Sequence, residues 1–221
     1  MFARGSGPWL AVPVLVLVAQ LGLLIGLGWA LGTSPSTAVM IVVAVPLLAL
    51  QVLFLFFFRD PTRVIGPGIV SPADGVVREV QQRQGQWFVS IFMNVHDVHV
   101  NRLPMAGTIT SITHHRGGHR PAFADDAARN EHQVFAIATD HGTMTMTQIA
   151  GLVARRCVSY VEVGQRLDKG TRVGMIRFSS RVDVLVPAAP GLRLAVAVGD
   201  RVRAGSSTLL SDRGEGPAAD G

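Results

Sequence analysis

The sequence holds one cysteine, Cys157, and one lysine, Lys169. A lone cysteine excludes a disulfide within the chain and any metal site built from several thiolates. Lys169 is therefore the sole Schiff-base candidate for pyridoxal chemistry. It sits in an Asp-Lys-Gly turn pattern, in a chain too small and too rich in β-branched runs for the usual folds of that cofactor. It also lacks the Met-Lys phrase expected at the hairpin tip of a lipoyl-type carrier. No G-x-S-x-G occurs, and no cysteine-protease signature surrounds Cys157. Basic strips interleaved with aromatics are missing, so the formal net charge of +5 does not point to nucleic acid. With lysine almost absent the positive charge is arginine, whose planar fork suits phosphate and an anionic lipid surface.

Charge is also scarce overall. Charged residues make up 16% and hydrophobic ones 48%, and the mean hydropathy of +0.37 is too apolar for an ordinary water-soluble chain of 221 residues. The excess precedes Arg59, in two uncharged runs at about 9–31 and 37–58, each long enough to cross a bilayer. The linker Gly32-Thr33-Ser34-Pro35-Ser36 is uncharged, whereas Arg4 precedes the first run and Arg59 and Arg63 follow the second. Both outer ends are thus expected on the cytoplasmic side of the cell (inner) membrane. A cleaved signal peptide fits poorly, because the first run is too long and a second follows at once. A hairpin dipping into one leaflet stays open, since Pro13 and several glycines weaken the first helix. The expected division is an anchoring helical hairpin over 1–58, a catalytic β domain over 59–212 and a disordered tail over 213–221.

Past Ile69 the pattern changes to short β-branched runs broken by glycine, proline and aspartate, at 75–80, 87–93, 107–112 and 143–149. These predict a mainly β, antiparallel domain. The stretch from Arg116 to Glu131 reads as a long loop. Val163-Gly164-Gln165-Arg166-Leu167-Asp168-Lys169-Gly170 recurs as Val198-Gly199-Asp200-Arg201-Val202-Arg203-Ala204-Gly205. The repeated V-G-x-x-[VL]-x-x-G phrase resembles the hammerhead turn of lipoyl- and biotinyl-type barrel-sandwich domains.

Seven histidines raise a metal site as one reading. On a strand, the spacing of His96 and His99 would put them on opposite faces, unfit to share one ion without a bulge. His114, His115 and His119 cluster at the start of the expected loop, where solvated surface is the plain alternative. A zinc peptidase using these histidines and a membrane-tethered, non-enzymatic sandwich adaptor or carrier are the competing functional readings.

Several phrases become specific when read in order: Phe57-Phe58-Arg59-Asp60-Pro61, Val70-Ser71-Pro72-Ala73-Asp74-Gly75, and Asp97-Val98-His99-Val100-Asn101-Arg102-Leu103-Pro104. Asn130-Glu131, Gln148-Ile149-Ala150-Gly151-Leu152-Val153-Ala154-Arg155-Arg156 and Gly174-Met175-Ile176-Arg177-Phe178-Ser179-Ser180-Arg181-Val182-Asp183 follow. Together they resemble the short bacterial, pyruvoyl-dependent type of phosphatidylserine decarboxylase, over roughly Phe57 to Leu210.

That resemblance implies a proenzyme that cuts itself between Ser179 and Ser180, giving a large β chain (1–179) and a small α chain (180–221) that stay together as a heterodimer, with room for a higher oligomer. Ser180 would become a covalent, self-made pyruvoyl group, with no metal and no pyridoxal cofactor. It would decarboxylate phosphatidylserine in the membrane to phosphatidylethanolamine. The family's cleaved Gly-Ser pair falls on Ser179-Ser180, so a side chain stands where glycine normally leaves the carbonyl unhindered. The processing aspartate matches Asp74, and the first histidine of the family's H-x-x-H matches His99. Arg102 replaces the second, which leaves His99, ahead of His96, as the base that activates Ser180.

Overall fold

The computed structural model describes residues 2–32, 37–118, 130–151, 157–177 and 180–211. The chain divides into two units, Met1–Pro61 and Thr62–Gly221. In the first, helix α1 (Gly7–Ala30) and helix α2 (Thr37–Phe57) run antiparallel, each with an internal proline, Pro13 and Pro46. Trp9 near the start of α1 meets Phe54 and Phe58 at centroid distances of 6.1 and 6.3 Å, and Ala3 N–H donates to Phe58 O. α1 has the length and hydropathy to cross a bilayer, whereas the comparable apolar stretch of α2, Ala44–Phe57, is shorter. The expected linker at 33–36 lies outside the described residues.

The second unit is mainly β. Its strands are β1 (Ile69–Val70), β2 (Gly75–Arg83), β3 (Gln86–Met93), β4 (Val100–Arg102), β5 (Gly107–His115), β6 (His132–Thr139) and β7 (Gly142–Ala150). After them come β8 (Cys157–Ser159), β9 (Arg166–Leu167), β10 (Arg172–Ile176), β11 (Ser180–Pro187), β12 (Arg193–Leu194), β13 (Arg201–Val202) and β14 (Thr208–Ser211). All strand pairings among the described residues are antiparallel, and the isolated bridge between Gly118 and Asn130 is parallel. The large sheet has the order β13-β2-β3-β11-β7-β6-β5-β9, and two smaller sheets have the orders β4-β10-β8 and β1-β14-β12. Alternation assigns the faces: Val182, Val184 and Val186 of β11 and Met144 and Met146 of β7 are buried in one core with Phe135 and Ile137 of β6. The antiparallel half-barrel agrees with the sandwich class expected from the sequence.

The repeat proves structural. Gly164 and Gly199 both have positive φ, as do Gly170 and Gly205. The two copies form β9 and β13, the opposite edges of the large sheet. Gly199 N–H donates to Val77 O and Val77 N–H to Asp200 O; in the other copy Gly164 N–H donates to Ile109 O and Ile109 N–H to Gln165 O. Each partner strand carries a bulge just after, between Val77 and Glu79 and between Ile109 and Ser111. Pro104, Gly107 and Ile109 thus repeat Pro72, Gly75 and Val77 at the same mutual spacing. The two halves meet at Arg102, which donates from Nη1 to Gly170 O at 3.1 Å and whose Cδ would lie 3.0 Å from a Cβ on Gly205. Arg102 thus has a packing role across this junction.

Candidate active site

Strands β10 and β11 are consecutive but belong to different sheets, the small one ending at Ile176 and the large one resuming at Ser180. Ser180 opens β11 and pairs with Met93 on β3 and Ala150 on β7. Its side chain falls on the inward face with Val182. The residue is fully buried, and among the described residues its hydroxyl has no hydrogen-bond partner. Leaving a buried hydroxyl unpaired costs about 1–3 kcal/mol, so such a group marks a place where something other than stability has been selected. Ser179 lies outside the described residues.

His99 lies just before β4, on the small sheet that ends at Ile176. Its backbone carbonyl accepts from Ile176 N–H, the last residue of β10, four positions before Ser180. The ring is fully buried, and Nδ1 lies 2.9 Å from the carbonyl oxygen of Asp97. A carbonyl can only accept, so Nδ1 carries the proton, and in the neutral ring the lone pair is on Nε2. Strand parity is not what separates His96 from His99. A tight turn does: Asp97 N–H donates to Asn94 O and Asn94 N–H to Asp97 Oδ2. His96 points out of this turn, half exposed, with Nε2 3.8 Å from Asp97 Oδ1.

Asp74 precedes β2 and is buried. Its Oδ2 accepts from Arg63 Nη2 at 2.7 Å and its Oδ1 from Ala204 N–H at 2.8 Å, which ties the repeat turn to the head of β2. Gly75 beside it packs on the carbonyl of Phe92, and Val76 pairs with Phe92. Asp74 is therefore one residue before the position on β2 that lines up with Met93 and Ser180, two strands away, a backbone separation of about 10 Å. The carbonyl of Asp97, not the carboxylate of Asp74, supplies the hydrogen bond described for His99 Nδ1.

Two further buried polar residues line the corner. Gln148 of β7 donates from Nε2 to Asn101 Oδ1 of β4 at 2.7 Å, joining the two sheets. It faces inward in the series Met144, Met146, Gln148, and a glutamine at an inward position of an alternating strand was the available signal for it. Asn130 donates from Nδ2 to Ala150 O, and Ala150 N–H donates to Glu131 O, fixing the end of β7 opposite Ser180. Cys157, paired with Ile176, is buried, and its thiol is pushed up to about 12 by burial and then by the Glu131 charge. Among the second histidine group, His114 Nε2 lies 3.5 Å from Glu131 Oε1 and the His115 ring stacks on His132 at 4.5 Å. Both are on β5 rather than in a loop; His119 and most of the expected loop lie outside the described residues.

The fold is a mainly β unit that holds a buried serine and a buried histidine where two sheets meet. The sequence profile of phosphatidylserine decarboxylase matches residues 50–210. A phosphatidylserine decarboxylase proenzyme of Thermobifida fusca is 43% identical over 95% of this chain and 92% of its own length. One of Streptomyces griseus is 43% identical over 95% and 93%. A protein of Methanococcoides burtonii, provisionally named an archaetidylserine decarboxylase proenzyme, is 48% identical over 75% and 78%. The chain belongs to the phosphatidylserine decarboxylase family.

Proposed function

We propose that this chain is a membrane-associated proenzyme that cuts itself before Ser180 and then decarboxylates the serine head group of phosphatidylserine to give phosphatidylethanolamine. The observation that carries this reading is Ser180 itself, fully buried at a strand head with its hydroxyl unpartnered among the described residues and His99 in the same corner. Such a serine fits conversion to a pyruvoyl group, because the hydroxyl is held off from competing hydrogen bonds and water.

In the processing step Ser180 Oγ attacks the carbonyl carbon of residue 179, its proton passes by way of His99 Nε2 to the departing nitrogen, and the peptide C–N bond gives way to an ester. Removal of the Cα proton of Ser180 expels residue 179 as a carboxylate and leaves dehydroalanine. Water then replaces its nitrogen, released as ammonia, to give the ketone. That ketone, beside an amide carbonyl, supplies the electron sink for the pair freed as carbon dioxide departs. His99 remains as the acid that returns a proton to the head-group carbon. Asp74 acts as a positioning residue: clamped by Arg63 and Ala204, it fixes the head of β2 against β3, the strand that pairs with Ser180 at the start of β11.

The two fragments, 1–179 and 180–221, stay joined because β11 is hydrogen-bonded between β3 and β7. α1 with α2 forms the anchoring hairpin, and Arg4, Arg59 and Arg63 keep the β unit on the cytoplasmic face. The archaeal relative makes the lipid tail a separate question from the head group, so both diacyl and archaeal serine lipids belong in the assay.

Intact-mass analysis of the purified protein tests the reading. The wild type is expected to yield a fragment that begins at residue 180 with a blocked pyruvoyl end, and Ser180→Ala a single chain without decarboxylase activity. Ser206→Ala is expected to cut and turn over normally. Although Gly205-Ser206 looks more like a Gly-Ser cleavage pair, Ser206 Oγ is spent on Val64 O at 2.8 Å in a turn whose Gly205 N–H donates to Ser71 O. The reverse pattern would overturn the assignment of the site.

A further inference from the structure

Gln148 is the buried group that the processing chemistry leaves unused. Its residue exposure is zero, its Nε2 is committed to Asn101, and its Oε1 has no hydrogen-bond partner among the described residues. The amide is held in place: a Cβ on Gly174 would fall 2.9 Å from Nε2 and 3.4 Å from Oε1, so glycine at 174 is what leaves room for it. Gly174 is itself the register partner of Asn101. Gln148 thus lies across the Gly174–Asn101 pair, in the seam where the two sheets meet.

Its register places it beside the reacting residue. Ala150 is opposite Ser180 and Gln148 opposite Val182, so Gln148 is the diagonal inward neighbour of Ser180. Diagonal pairs stand about 7–8 Å apart, within reach of a long side chain but too far for two short ones to touch. That spacing matches one polar group hydrogen-bonded between them. One N–H of Nε2 goes to Asn101, and Oε1 is the atom of the amide left without a partner among the described residues. A neutral amide oxygen takes a hydrogen bond from N–H without removing the proton, which suits a primary amine and offers nothing to a quaternary one.

Resting on the function proposed above, we infer that Gln148 Oε1 receives an N–H of the head-group amine and positions it at residue 180, making Gln148 the residue that selects a primary-amine lipid. The test uses the full chain in detergent micelles containing phosphatidylserine. Its readouts are the fraction self-cleaved, by intact mass, and the lipid concentration for half-maximal cyanoborohydride trapping on the small fragment. Gln148→Met is expected to cut as completely as wild type. Its half-trapping concentration and KM should rise about tenfold, the loss of one buried hydrogen bond, while kcat changes less.

Gln148→Glu covers the case in which the methionine variant does not fold. It is expected to cut, and its KM should gain a pH-dependent limb that the wild type lacks, because the new acceptor titrates. A folded Gln148→Met that fails to cut, trapping and KM unchanged by that substitution, or a Gln148→Glu profile that matches wild type would each overturn the inference. A wild-type chain that never cuts sinks the proposed function and this inference with it. Cutting and trapping that Gln148→Met leaves untouched sink the inference alone.

Discussion

Asp183 is the residue whose ionisation works against the fold. It lies on the outward face of β11, accepts from Ser90 Oγ at 2.7 Å and from Arg181 Nη2 at 2.8 Å, and its side chain is 13% exposed. Its carboxyl is nevertheless raised above the ordinary value of 3.8, because burial outweighs the Arg181 charge and the Ser90 hydrogen bond, with Glu79 adding to the rise. A carboxyl that binds its proton more tightly when folded stabilises the protein below the unfolded value, and that contribution is lost as pH climbs through the folded one. Unfolding free energy measured across that window is therefore expected to contain a falling component that Asp183→Asn removes. At neutral pH Asp183→Asn should cost under about 1 kcal/mol, whereas Arg181→Met, which strands the carboxylate, should cost about 3 kcal/mol. A falling component that survives in Asp183→Asn would assign it to another group.

At the same scale, what could be read from the sequence differs sharply from residue to residue. Ser180 was legible as a candidate because an ordered set of phrases surrounds it. His99 was legible as a candidate, yet its orientation by the Asp97 carbonyl depends on a four-residue turn that strand parity does not describe. The Gln148–Asn101 bond joins residues 47 apart on two different sheets, and no local pattern encodes that meeting. Nor does any local pattern tell that Asp74 binds a turn 130 residues further on.

At the scale of elements, local rules served well wherever an element answers to its own sequence. The runs expected at 75–80, 87–93, 107–112 and 143–149 lie within β2, β3, β5 and β7. The small sheet β4-β10-β8 was not foreseen, because its strands of three to five residues have no long alternation and exist only through one another. β10 is where that sheet is most exacting. A Cβ on Gly174 would lie 2.5 Å from Val158 O on β8 as well as 2.9 Å from Gln148 Nε2 on β7. Gly174→Ala should therefore force β8 and β10 apart and push the amide aside, costing about 2 kcal/mol. Denaturant unfolding measures the first effect. A raised KM in the protein that still folds measures the second, and a neutral result on both counts would mean that the seam is looser than its distances imply.

For the whole molecule, the two units make separate demands. The β unit has its own core of buried residues from Ile69 to Leu210, with its edges closed by the two repeat turns. Its candidate site residues Asp74, His99, Gln148 and Ser180 all lie beyond Thr62. The helical unit carries none of them, and most of α1 leaves its apolar side chains exposed, as suits a segment surrounded by lipid. Deleting residues 1–58 is thus expected to leave a β unit that folds and cuts itself before Ser180 to the same extent as the full chain. It should decarboxylate phosphatidylserine dispersed in detergent at a comparable kcat. On vesicles its rate should fall at least about tenfold, because tethering raises the effective concentration of site and lipid on one surface without changing any contact within the site. Cleavage and turnover of both forms, measured in micelles and in vesicles, separate the two demands. Loss of self-cleavage in the shortened chain would show that the helices take part in the chemistry, and an unchanged vesicle rate would show that the β unit binds the lipid surface by itself.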